Sequence, residues 1–292
     1  MDRSLIKSDL ILLFTAVIWG FTFVAQRQGM EYIGPFTFIA LRFLLGVLFL
    51  VCFILIRHNR KFWKITKKEF FMGCIVGFVL FAGTAFQQVG IIHTTATKSG
   101  FITGLYVVLV PVLGFLIWEQ KISRWSLIGS IVAFTGLYFL SVPSDLKLNY
   151  GDILTFIGAV FWTFHVLLIA RYSPRMNSLK LALVQFSFSA VLGVIIAVIY
   201  ETISMDMIYP SAVPVLYSGL ISTGVAFTLQ VVGQKNSPPT HAAIIMSLEA
   251  VFAAIGGWLV LSEGFTTRVI VGCSLMLFGM LISHAKLKPA IY

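Results

Sequence analysis

A chain of 292 residues that is 59% hydrophobic, only 11% charged and has a mean hydropathy of +0.96 cannot hide its apolar side chains in a soluble core, since ordinary soluble domains carry roughly 25% charged residues. The formal net charge of +10 would point a soluble domain toward nucleic acid. Here the Lys and Arg residues lie mainly between apolar runs, so the charge reports membrane topology and no nucleic-acid partner is expected.

Apolar runs of about 20 residues, long enough for a helix to cross roughly 30 Å of hydrocarbon, recur along the chain. Ten spans are expected, at 9–28, 34–56, 70–92, 97–118, 125–142, 151–171, 180–200, 212–234, 240–262 and 268–285. They are continuously apolar instead of alternating every second residue, which selects helices over a barrel. The fold class expected is therefore an all-α integral membrane protein. The first span is not a cleaved signal peptide, because it runs past a signal's apolar length and ends in Gln26-Arg27-Gln28. Cys52, Cys74 and Cys273 each fall inside an apolar run and give neither a disulfide framework nor metal-ligand spacing.

The 21 Lys and Arg residues are unevenly placed. Sixteen lie at the termini and in one set of alternate loops, from Arg3 and Lys7 through the Lys-rich 57–68 loop to Lys286 and Lys288. Lys98, Lys147 and Arg268 occupy the other set, and Arg27 and Arg42 sit within spans. The positive-inside rule then puts both termini in the cytoplasm, as an even span count requires. A multi-pass protein of the cell (inner or plasma) membrane is expected. The 57–68 loop is read as an orientation signal and a contact for anionic lipid.

The pattern of 111–141 returns at 255–283. In each, an apolar run meets a Glu (Glu119, Glu263), then a hydroxyl residue before Arg (Ser123-Arg124, Thr267-Arg268), then two glycines seven apart (Gly129 and Gly136, Gly272 and Gly279). Asp9 and Trp19 have the same spacing as Asp152 and Trp162, and Phe86-Gln87-Gln88-Val89-Gly90 matches Leu229-Gln230-Val231-Val232-Gly233 at an offset of 143. The chain divides into repeats at 1–145 and 146–292. Five spans per repeat is an odd number, so the halves must cross the membrane in opposite directions. Inverted repeats of this kind build secondary transporters, with the substrate site near the midplane where the halves meet.

Two five-span repeats, each opening with a Trp-bearing span and closing in Glu, a short loop and a glycine-paired span, together with Ala40-Leu41-Arg42-Phe43 in span 2, resemble the EamA domains of the drug/metabolite transporter superfamily. The resemblance covers essentially the whole chain. It implies a ten-helix bundle around a central cavity, moving small organic solutes such as amino acids, other metabolites or toxic compounds. The family's second repeat often reads Leu-Glu-Pro where this chain has Leu248-Glu249-Ala250. Without that proline, the sequence carries no mark of the local helix break that it would favour there.

Polar residues inside a bilayer are costly and normally face the bundle interior. Thr15, Trp19, Thr22 and Gln26 share one helical face in span 1; Thr155, Gly158, Trp162 and His165 share one in span 6; Ser99, Thr103 and Tyr106 share one in span 4. These stripes are the expected cavity lining, with interhelical hydrogen bonding as the alternative for the hydroxyls. Gln87, Gln88 and Gln230 offer carboxamides to a polar solute or to a neighbouring helix. Glu249 lies about 14 Å along span 9, and Arg42 about 12 Å along span 2, by the helical rise. Glu249 suits a proton carrier or a counter-ion to a cationic substrate, unless the two charges simply pair. His165 is read as a relay or a structural imidazole. His58, His93, His241 and His284 are scattered without helical spacing, so no metal site is expected.

No catalytic or nucleotide-binding motif appears, so neither an enzyme nor a cofactor is expected. The function expected is secondary transport of small organic metabolites by alternating access. The alternatives are export of toxic or cationic compounds, an intramembrane enzyme, or a channel. The expected partners are a small-molecule substrate and the lipid bilayer; oligomeric state stays open.

Overall fold

The computed structural model describes residues 3–57, 60–94, 96–141, 149–261 and 266–284. Among them there is no strand. The first repeat comprises α1 (Arg3–Gly29), α2 (Pro35–Arg57), α3 (Lys67–His93), α4 (Ala96–Gly104), α5 (Tyr106–Trp118) and α6 (Arg124–Ser141). The second comprises α7 (Tyr150–Tyr172), α8 (Ser178–Tyr200), the short α9 (Met205–Ile208) and α10 (Ala212–Leu216), a π-helical stretch over Tyr217–Phe227, α11 (Thr228–Gln234), α12 (Pro239–Ser247), α13 (Glu249–Leu261) and α14 (Thr267–His284). Nine helical runs among the described residues are long and apolar enough to cross a membrane, and the shorter Arg124–Leu140 stands where a tenth span is expected. Large apolar side chains such as Ile56, Val198 and Phe71 project from the bundle, as a lipid-facing surface requires.

Local sequence sets where several helices begin and end. Thr66 and Glu69 form a capping box at the start of α3, and Asn149 and Asp152 form another at the start of α7, satisfying backbone donors that a helix start leaves free. The recurrent Glu after the apolar run ends α5. Glu119 adopts the left-handed conformation (φ 51°), and the Gln120 N–H reaches back to the Gly114 carbonyl at 3.2 Å, closing a Schellman-type cap. Its counterpart Glu263 lies outside the described residues.

Spans 4 and 9 are not continuous helices. Each is interrupted at one residue, Leu105 and Leu248, where the backbone N–H bonds three residues back, to Ile102 O (3.2 Å) and Ile245 O (3.1 Å). Span 9 is therefore interrupted although no proline follows Glu249. The two breaks stand 143 positions apart, at equivalent points of the repeats. A tightened turn of this kind needs only a local i→i+3 bond, which no residue type announces.

Equivalent helices of the two halves run antiparallel. In α6 and α14, Gly129 lies against Gly279 and Gly136 against Gly272, an order that reverses along the partner. A Cβ on Gly129 would stand 2.5 Å from Gly279 O, and one on Gly136 would stand 2.6 Å from Gly272 O. Backbones can approach this closely only without side chains, which is how small residues join helices in lipid. Helices that are not counterparts also pack antiparallel across the halves, as α3 does on α7, where Gly90 meets Gly151 and Gly83 meets Trp162.

Gly136→Leu should cost at least ~2 kcal/mol through overpacking and lower the melting temperature of the detergent-solubilised protein by several degrees. Gly100→Ala, whose added Cβ meets nothing within 4 Å, should melt with wild type. Equal melts for both variants would rule out backbone contact between α6 and α14.

Candidate substrate cavity

A cavity lies between the halves. From the first repeat it is lined by Trp19, Thr22, Phe23 and Gln26 of α1, Arg42 of α2, Gln87 of α3, Thr103 of α4 and Tyr106 of α5. The second repeat contributes Trp162 and Val166 of α7, Ser222 and Phe227 of the π-helical stretch, Gln230 of α11, Met246 of α12 and Glu249 of α13. Many of these are repeat counterparts at the 143-residue offset: Trp19 with Trp162, Phe23 with Val166, Gln87 with Gln230, Thr103 with Met246, and Tyr106 with Glu249.

The aromatic wall is a packed unit. Phe227 stacks on Trp162 with centroids 5.8 Å apart and the rings inclined at 15°, and it meets Trp19 at 4.7 Å and 54°. The indole N–H groups of both tryptophans have no protein acceptor. At one edge of this wall the Arg42 guanidinium carbon lies 6.0 Å from the Phe227 centroid. Arg42 Nε donates to Thr223 Oγ1 and Nη2 to Ser222 Oγ, both at 3.2 Å.

Glu249 opens α13 immediately after the break at Leu248, and Tyr106 opens α5 immediately after the break at Leu105. The Tyr106 hydroxyl donates to Glu249 Oε1 at 3.3 Å. Repeat-equivalent positions thus meet across the pseudo-twofold. Arg42 and Glu249 are both buried, at 3% and 9% exposure, and among the described residues no ion pair joins them. Each side chain keeps its own polar contacts.

Ten of the residues singled out from the sequence are brought to this cavity: Trp19, Thr22, Gln26, Arg42, Gln87, Thr103, Tyr106, Trp162, Gln230 and Glu249. Several are also tied to neighbours, as Gln87 Nε2 donates to Thr103 Oγ1 (2.8 Å) and Gln230 Nε2 to Gln234 Oε1 (2.9 Å). Gln88 and His165 are not among the lining residues. Gln88 is fully buried, turned about 100° from Gln87 by one helical step. His165 stands behind the aromatic wall, edge-on to Trp162 and Phe227, with Nε2 3.0 Å from Gln185 Oε1.

Five lining residues escaped the sequence reading. Phe23 and Val166 lie four residues after Trp19 and Trp162, so helical spacing contains their signal. Met246 is the apolar counterpart of Thr103. Ser222 and Phe227 share the cavity because a π-helix repeats every i→i+5, a phase that α-helical spacing misses.

The lining is lopsided. Thr22, Gln26 and Arg42 border the cavity in the first repeat, whereas their counterparts His165, Ile169 and Gln185 are fully buried in packing.

The profile of the EamA-like transporter family matches residues 6–142 and again 149–284. The chain belongs to the EamA-like transporter family. An uncharacterized transporter of Archaeoglobus fulgidus is 34% identical over 94% of this chain and 85% of its own length. The uncharacterized transporter YoaV of Bacillus subtilis is 23% identical over 96% of this chain and 97% of its own. A protein of known crystal structure superposes with a TM-score of 0.80 at 16% identity, covering 96% of this chain and 98% of that one, so the fold is shared even where little sequence is.

A double-mutant cycle of Tyr106→Phe and Glu249→Leu in this EamA-like bundle should return about 1 kcal/mol of coupling in thermal or denaturant unfolding. Strictly additive variants would show that the two breaks do not communicate through this hydrogen bond.

Proposed function

We propose that this EamA-like protein is a secondary transporter of small organic metabolites, such as amino acids and related compounds, working by alternating access between its inverted halves. The observation that carries the reading is a cavity on the pseudo-twofold holding Arg42 and Glu249 without an ion pair between them, beside an aromatic wall. Such a site offers a cation to a carboxylate, a carboxylate to an amine, and ring faces to the body of the solute. Gln87, Gln230, Thr22, Gln26 and Thr103 supply hydrogen-bonding groups around it.

The lopsided lining supports alternating access. An inverted repeat with perfect symmetry would open equally toward both sides. Here one route is bordered by polar residues, and the equivalent route is filled by His165, Ile169, Gln185 and their neighbours. With the termini cytoplasmic, as the Lys and Arg distribution argues, the bordered route leads toward the outer face of the cell membrane. Rocking one half against the other would exchange the two routes around a fixed site. Glu249 is the residue we assign to coupling, by exchanging a proton or substrate charge as the site changes sides. The reading assigns no catalytic step and no cofactor.

A second reading, transport of cationic amphipathic compounds, draws on Glu249 and the two tryptophans, which together would suit a cation beside ring faces. In it Arg42 would be a structural residue held by Ser222 and Thr223.

Purified protein should be stabilised by one chemical class in a thermal screen of amino acids, amines, nucleobases and sugars, because a ligand that binds only the folded state raises the melting temperature. Stabilisation by zwitterions that is lost in both Arg42→Met and Glu249→Gln supports the first reading. Stabilisation by cations that is lost only in Glu249→Gln supports the second. In proteoliposomes, Glu249→Gln should fold yet lose coupled uptake; wild-type transport by that variant at every pH would sink the coupling role.

A further inference from the structure

One group of side chains far from the cavity has no part in the transport reading. Asp9 in the second turn of α1, His241 in the first turn of α12 and His284 at the end of α14 come together at the end of the bundle where α1 begins and α14 finishes. His241 Nε2 lies 3.1 Å from Asp9 Oδ1, and His284 Nδ1 lies 2.8 Å from Asp9 Oδ2. The rings are 5.6 Å apart, and the ligand-capable atoms of all three residues fall within 4.8 Å of one another. Among the described residues this is the one such grouping of three His, Cys, Asp or Glu side chains.

Three features distinguish this grouping from an ordinary surface ion pair. The first is orientation: His241 is almost fully buried, and its other nitrogen, Nδ1, is bonded to Ser283 Oγ. That contact fixes the ring and aims Nε2 at Asp9, as second-shell partners do for ligating histidines. Ser283 Oγ also donates to Met280 O at 3.1 Å. When it does, His241 Nδ1 is the donor in the shared bond, and Nε2 is the nitrogen that faces Asp9.

The second is the contrast with the other repeat. Asp152, the counterpart of Asp9, accepts from Asn149 N at 2.9 Å and from Thr94 Oγ1, and serves as part of the cap of α7. Asp9 has no such task, because α1 already extends six residues before it. Both of its oxygens face histidines instead. The third is the donor set itself. Two imidazoles and one carboxylate match the three-protein-ligand arrangement that zinc adopts. Ligand atoms around tetrahedral zinc stand about 3.3 Å apart for bonds of ~2.0–2.1 Å; here the imidazole nitrogens lie 3.1 and 2.8 Å from the two Asp9 oxygens and the whole set spans no more than 4.8 Å.

We propose that Asp9, His241 and His284 form a binding site for a divalent transition-metal ion, with Zn²⁺ the ion best suited to two imidazoles and a carboxylate. The ion joins α1 and α12, both of which carry cavity-lining residues, to α14, which does not. Its occupancy therefore holds one end of the two cavity helices against the rest of the bundle. The site stands on its own geometry and does not depend on what the cavity transports.

The test uses the full-length chain, free of any polyhistidine tag, stripped with chelator and titrated with Zn²⁺ alone. Wild type should bind one Zn²⁺ per chain and melt several degrees higher in its presence, with the rise abolished by chelator. His284→Ala, at a helix end and partly exposed, and Asp9→Asn should lose the metal-dependent rise while keeping a cooperative melt without metal. Ser283→Ala should weaken Zn²⁺ binding roughly 10- to 100-fold. His93→Ala and Cys52→Ser, remote from the cluster, should bind like wild type. No binding by wild type, or equal binding by wild type and His284→Ala, would overturn the proposal and leave the cluster as a hydrogen-bonded set only.

Discussion

Close backbone contact between α6 and α14 underlies the rest of the arrangement. Helices in hydrocarbon gain little from burying apolar side chains against each other, since lipid is equally apolar, so they associate through tight packing. Gly129, Gly136, Gly272 and Gly279 let these two helices meet along their length, and because they are counterparts in the two repeats they can meet only antiparallel. The pairing seals one side of the bundle. The remaining helices then face each other around the pseudo-twofold and enclose the cavity.

Along that axis the repeats present the same positions but different chemistry. Trp19 and Trp162 keep the aromatic wall common to both halves, as Gln87 and Gln230 keep a common carboxamide. Tyr106 and Glu249 do not match, and they bond to each other instead. Arg42 reaches the cavity while its counterpart Gln185 is bound to His165 outside the lining. Duplication supplied the frame of the site, and divergence supplied its charges. The two helix breaks fit the same pattern: they lie at equivalent residues and set Tyr106 and Glu249 at the starts of their half-helices.

Much of the candidate site was legible because a helix buried on one face imposes a spacing on its polar residues. Of the stripe Thr15, Trp19, Thr22 and Gln26, the last three line the cavity together, while Thr15 is buried with its hydroxyl on the Ala226 carbonyl. The same rule misleads where a single step matters. Gln87 and Gln88 are chemically identical neighbours, yet about 100° of rotation sends one to the cavity and the other into packing. It also fails where the helix changes type, so Ser222 and Phe227 went unread in the π-helical stretch. The break at Leu248 was unexpected because its usual mark, proline, is absent, while the bond that makes it is a backbone bond available to any residue.

What the sequence determined by itself is what periodicity and composition encode locally: a membrane protein, helical spans, a duplication with an odd number of spans per unit, and membership in the EamA-like family. Each follows from interactions within one span or from comparison of two stretches of text. Tertiary structure decided which charges meet. It kept Arg42 apart from Glu249, although both lie deep in their spans, because each found nearer partners across different helix contacts. It also gathered Asp9, His241 and His284, separated by up to 275 positions, into one cluster. No local spacing rule reaches across such distances, since proximity there depends on how the helices fold back on one another.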